Sequence, residues 1–117
     1  MSQVKPTTVK DLTAPIRHVK IGDKQYELVF NNRFIREVET VYDADYKTPK
    51  PAPMVFAEAH AGMVRALYAL FYAAARAGGM QMSFDEFEEA FNIMEVEGVQ
   101  ELLLRSIDEA LPETEKN

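Results

Sequence analysis

The amino-acid sequence predicts an α+β domain. An N-terminal β-hairpin, forming a small antiparallel sheet, precedes about four helices, so the whole is mostly α-helical. Three observations carry this. Apolar and polar residues alternate on both sides of Gly22-Asp23, the period of paired strands. From Arg33 onward the apolar spacing lengthens to three and four, which is helical. Proline, glycine and a Ser-Phe-Asp-Glu start then cut the helical part into pieces.

Taken in order, residues 1–14 are polar and broken by Pro6, and are read as a flexible arm. Arg17-Val19-Ile21 and Tyr26-Leu28-Phe30 are the two alternating runs. Glycine at the first central position of the turn suits a two-residue type II′ hairpin. An isolated hairpin is marginal in water, so its apolar face needs a helix laid over it.

Asn31-Asn32 ends the second strand and supplies an N-cap. A first helix follows over about 33–42, with Phe34, Ile35, Val38, Val41 and Tyr42 on one face. Residues 43–54 read as an extended loop, stiffened by Pro49, Pro51 and Pro53. Within it the Pro-rich piece 48–53 serves as a spacer. A second helix is expected over about 55–77, stopped by Gly78-Gly79.

That second helix is apolar on most sides. One stripe is Phe56, Met63, Leu67, Leu70, Phe71 and Ala74; another is Ala57, Ala61, Val64, Tyr68 and Ala75. Only the row Glu58, Gly62, Arg65, Ala69, Tyr72, Arg76 looks suited to water. Such a helix is either central to its domain or shared with a neighbour. The surplus apolar surface leads us to expect a homo-oligomer.

Ser83-Phe84-Asp85-Glu86 has the form of a capping box. It opens a third helix to about Asn92, with Phe84, Phe87 and Phe91 on one face. A fourth helix spans about 95–111, with Val96, Val99, Leu103, Ile107 and Ala110 as its stripe. Pro112 ends it. The expected organisation is an arm at 1–14, a single domain at 15–111 and a flexible tail at 112–117.

Composition narrows the function. A chain of 117 residues suits one domain with a modest core. Hydrophobic residues are 47% and charged residues 27%, ordinary for a soluble globular protein. Cysteine is absent, which excludes disulfides, thiolate metal sites and a cysteine nucleophile. The N-terminal segment lacks the apolar run of a secretory signal. The most apolar stretch, 54–77, contains Glu58, His60, Arg65 and Arg76, so no membrane span is expected.

Net charge is −6, which opposes general binding to nucleic-acid phosphates. The charge is also polarised. Residues 1–82 hold 11 Lys/Arg against 8 Asp/Glu, a balance of +3; residues 83–117 hold 2 against 11, a balance of −9.

No catalytic constellation emerges. His18 and His60 have no partner set for a metal, and no phosphate-binding or nucleophile-elbow motif occurs. In FDEFEEAF the acids alternate with phenylalanines at helical spacing, unlike a calcium loop. Glu88 and Glu89 diverge by about 100° on a helix, so they do not address one substrate. No catalytic, cofactor or metal residue is assigned, and an interaction protein is the leading class.

The order of these motifs resembles the tail assembly chaperones of long-tailed bacteriophages and prophages. VKIGDKQYELVFNNRFIREVE runs from strand into helix; ALYALFYAAARAGG is the apolar helix; SFDEFEEAF and an acidic helix ending ELLLRSIDEAL follow. The likeness covers about 16–111; the long N-terminal arm and the 48–53 loop depart from the pattern.

The resemblance implies a small non-catalytic α+β protein of the bacterial host cytoplasm, absent from the mature virion. It implies binding to the tape measure protein, help in recruiting tail tube protein, and self-association. It also implies a longer product made by ribosomal frameshifting, for which Lys116-Asn117, if encoded AAA-AAC, would supply the slippery codons. Binding of a long helical client would be helix-in-groove. Val64, Tyr68 and Tyr72 are the expected partner or oligomer contacts, with Phe56 and Met63 beside them. A small prophage regulatory protein is the alternative, disfavoured by the absence of a basic recognition helix.

Overall fold

A computed structural model describes residues 18–96 and 98–110. The expected arm at 1–14 and tail at 112–117 lie outside the described residues. Strands β1 (His18–Ile21) and β2 (Lys24–Glu27) form the antiparallel hairpin, with Val19 opposite Tyr26 and Ile21 opposite Lys24. Among the described residues five α-helices follow: α1 (Asn32–Thr40), α2 (Ala52–His60), α3 (Val64–Ala77), α4 (Phe84–Ala90) and α5 (Val99–Ala110). The α+β class is as the sequence predicts, with one helix more than the four expected.

The hairpin turns at Gly22, whose φ of +63° is the left-handed value a type II′ turn requires there. Val19 and Ile21 face inward. The second strand is shorter than the alternation suggested. Leu28 and Phe30 stay buried, but the Val29 amide leaves the ladder and donates to the Ala74 carbonyl at 3.0 Å. The chain is thereby pinned to the end of α3. At that crossing a Cβ on Gly78 would stand 2.1 Å from the Glu27 carbonyl oxygen, so only glycine permits the approach.

Asn31 caps α1 as expected, its Oδ1 accepting from the Phe34 amide at 3.0 Å. Phe34, Val38, Val41 and Tyr42 are buried. The helix then widens into a π-helical turn over Val41–Asp45, where an extended loop was expected to begin. The loop is also shorter at its far end, since α2 starts at Ala52. Pro51 stands at its N-cap and Pro53 in its first turn, where a missing amide donor breaks no helical bond.

The single helix expected over about 55–77 is two helices, α2 and α3. Gly62, at φ +83°, makes the elbow between them. Gln100 holds it closed: its Nε2 donates to the carbonyls of Ala59 (2.7 Å) and His60 (2.9 Å) at the end of α2. Folding back buries most of the first stripe (Phe56, Leu67, Leu70, Phe71 and Ala74), while Ala57, Ala61 and Val64 of the second stay exposed.

Helix α3 is the central element, packed by α1, α2, α4 and α5 and touched by β2. Its supposed water-facing row is therefore partly interior: Ala69 is wholly buried and Tyr72 only 7% exposed.

Ser83 and Glu86 form the capping box of α4. The Ser83 Oγ accepts from the Glu86 amide at 3.2 Å and Glu86 Oε1 accepts from the Ser83 amide at 2.9 Å. The fourth expected helix begins later than its stripe suggested. A 3₁₀ turn occupies Ile93–Glu95, Gly98 takes φ +68°, and α5 starts only at Val99.

Candidate interaction surface

The elbow between α2 and α3 carries the densest polar cluster. Glu58, in the last turns of α2, accepts from the Tyr42 hydroxyl at 2.7 Å. It also accepts from Arg65 Nε at 3.2 Å and Nη2 at 2.8 Å, and from Lys50 Nζ. Arg65 lies over the Tyr42 ring, 5.6 Å from its centre. The Tyr46 hydroxyl donates to the Arg65 carbonyl at 2.8 Å. One carboxylate thus ties the π turn, the Pro-rich loop, α2 and α3 together.

The Arg65 hydrogen bond, aided by those from Lys50 and Tyr42, outweighs burial and holds the Glu58 carboxyl down at about 2. Burial, with help from Glu58, pushes the Tyr42 phenol up. A carboxylate fixed in its charged form beside a phenol fixed in its neutral form exchanges no proton near neutral pH. The cluster is a clamp.

A second electrostatic feature lies where α4 meets the π turn. Asp45 and Glu88 are both raised, first by burial and then by nearby Asp85. Among the described residues, no group of three or more His, Cys, Asp or Glu side chains is placed to hold a metal ion. Nor, among them, is any helix long and apolar enough to cross a membrane.

The five residues expected at a partner interface do not share one surface. Phe56 is buried, its ring stacked at 6.4 Å on Phe34. Tyr72 is buried too, its hydroxyl donating to the Met82 carbonyl at 2.9 Å and its ring edge-on to Phe84 and Phe87. Tyr68 is half-buried. It donates to the Phe91 carbonyl at 3.1 Å and accepts from the Ile93 amide at 3.3 Å, so it braces the turn after α4. Met63 and Val64, at the elbow, are open to solvent at 41% and 44%.

Val64 borders a cleft of about 440 Å³ between the start of α3 and the 3₁₀ turn leading to α5. Leu67 and buried Ile93 form its floor, and Val96 and Val99 its far side. Met94 stands at the mouth and is 72% exposed. Glu101 lies at the rim.

Sequence periodicity missed Met94, because it assigned no element between the third and fourth helices. The available signal was Ile93-Met94 after Asn92, an apolar pair that neither expected helix face absorbs. The Glu58 clamp was missed as well, since its members are scattered from Tyr42 to Arg65 over three separate elements.

The fold is that of a small α+β protein with a cleft between the start of α3 and the turn before α5. A family model described as phage tail assembly chaperone protein, TAC, matches residues 18–114, and the chain belongs to that family. Comparison with curated proteins and with solved structures gives no match.

Proposed function

We propose that this chain binds the tape measure protein during tail assembly, keeps that long helical protein soluble, and assists assembly of the tail tube. Family membership carries the reading. The surface supports it: Val64 and Met94 remain exposed beside a formed apolar cleft, in a domain whose large side chains are otherwise mostly enclosed. A client helix with one apolar face gains by covering such residues, and loses the aggregation risk of its own exposed face.

The setting is the host cytoplasm, and the chaperone leaves before the virion is complete. Self-association belongs to the same reading, although α3 leaves less apolar surface for it than its sequence suggested.

Co-expression with the long helix-forming protein encoded beside this chain tests the proposal. Affinity capture of this chain is expected to bring the long protein down in soluble form. A long protein that stays insoluble, or soluble but uncaptured, would overturn it.

A further inference from the structure

The cleft between α3 and α5 has a definite chemistry. Val64, Leu67, Ile93, Val96 and Val99 give it apolar walls, with the Gln100 amide side chain among them. Its mouth carries Met94, an adaptable side chain suited to irregular apolar partners. Among the described residues its lining holds one charged side chain, Glu101, and the adjoining 3₁₀ turn adds Glu95 outside that lining. Glu101 is exposed at the rim, and Glu95 is exposed in the 3₁₀ turn between Met94 and Val96. No lysine or arginine lines it among the described residues. About 440 Å³ falls within the range of clefts that enclose a small ligand or a few side chains, about 300–1,000 Å³.

A second copy of the chain is a poor occupant. A two-fold interface sets each residue against the partner's equivalent surface. Here that brings Glu95 and Glu101 toward their counterparts, within a C-terminal part already at a balance of −9. Like charges oppose such a pairing.

We infer that the cleft is the docking site for an amphipathic helix of another protein, one with large aliphatic side chains on its inner face and Lys or Arg beside them. The apolar face fills the cleft and the cations meet Glu95 and Glu101. This deepens the proposed function, on which it rests, by naming the surface and the kind of client segment.

The test uses the full chain labelled at the methionine methyl groups and observed by NMR. The probe is a synthetic amphipathic helical peptide of Leu and Lys, with a Leu and Glu peptide of equal hydrophobicity as comparison. Saturable shifts of the Met94 and Met63 methyls are expected with the Lys peptide, at least about tenfold tighter than with the Glu peptide.

Met94→Glu separates cleft binding from plain attraction to an acidic protein. It adds negative charge, so non-specific binding of the Lys peptide would strengthen. Cleft binding is expected to weaken by about tenfold or more. Met54→Glu, the same change at a methionine 52% exposed on α2, is expected to stay within about twofold of the parent or bind slightly tighter. Val64→Glu is the second cleft variant, and negative charge is tolerated at the first turn of a helix.

Equal weakening by Met54→Glu and Met94→Glu overturns the inference. So does strengthening by Met94→Glu, or methyl shifts produced by raising protein concentration alone. Capture of the long client protein by Met94→Glu and Val64→Glu as efficiently as by the parent overturns the cleft while leaving the proposed function standing. Failure of the parent to capture that client overturns the function instead, and the peptide measurement then decides the cleft alone.

Discussion

The two ends of α3 are built for different work. Ala66, Ala69, Leu70, Ala73, Ala74 and Ala75 have no exposed surface. Their small side chains let α1, α2, α4 and α5 close around the helix. At the very start of the helix, Met63 at the N-cap and Val64 are open to solvent, Val64 beside the cleft. The enclosed end supplies stability, because burial of apolar area dominates folding. Under the proposed function the open end supplies contact surface, and it adds little stability. Substitutions should therefore separate the two properties, and a set graded from core to cleft tests whether they do.

Phe87→Ala should have the largest effect on stability. The side chain is wholly buried between the Tyr68, Tyr72 and Phe91 rings. Its loss is expected to cost about 3–5 kcal/mol in denaturant unfolding, a large share of the about 5–15 kcal/mol of a typical domain.

Glu58→Gln comes next, at about 1–3 kcal/mol, since it weakens charged hydrogen bonds from Arg65 and Lys50. Its pH signature is distinct. The folded carboxyl titrates at about 2 against an ordinary 4.5. The carboxylate therefore contributes fully above about pH 4.5, and its contribution is lost as pH falls toward 2. Unfolding curves of the parent should lose stability over that interval, and those of Glu58→Gln should lose less. Parallel curves would mean that the clamp does not hold the charge as described.

Ser83→Ala removes one half of the capping box and should cost about 1 kcal/mol. If Ser83→Ala and Phe87→Ala prove equal, Phe87 is not the core residue that its burial indicates. Met94→Glu should change stability least, within about 0.5 kcal/mol, because the side chain is 72% exposed. A large loss there would place Met94 in the fold and not at a contact surface.

Local chemistry was legible in the sequence wherever donor and acceptor are neighbours. The Gly22 turn, the Asn31 cap, the Ser83-Glu86 box and the Phe84-Phe87-Phe91 face all follow from residues within a few positions of one another. The elbow at Gly62 was not legible. The sequence from 52 to 77 is rich in alanine and favours continuous helix, and the break is held by Gln100, about forty residues away. Tyr72 reads as surface on a helical wheel; its burial depends on Phe84, Phe87 and the Met82 carbonyl arriving from beyond the helix. The cleft is likewise assembled from residues 62–67 and 93–101, which no single period connects. Of the five expected contact residues, Val64 lines it and Met63 precedes it.

Shielding of a helical client is measured most directly as solubility. The tape measure protein, expressed alone and together with this chain, is partitioned by centrifugation and quantified in each fraction. It is expected to be largely pelleted alone and largely soluble, in complex with this chain, on co-expression. An unchanged distribution, with this chain soluble and folded by circular dichroism, would contradict that expectation.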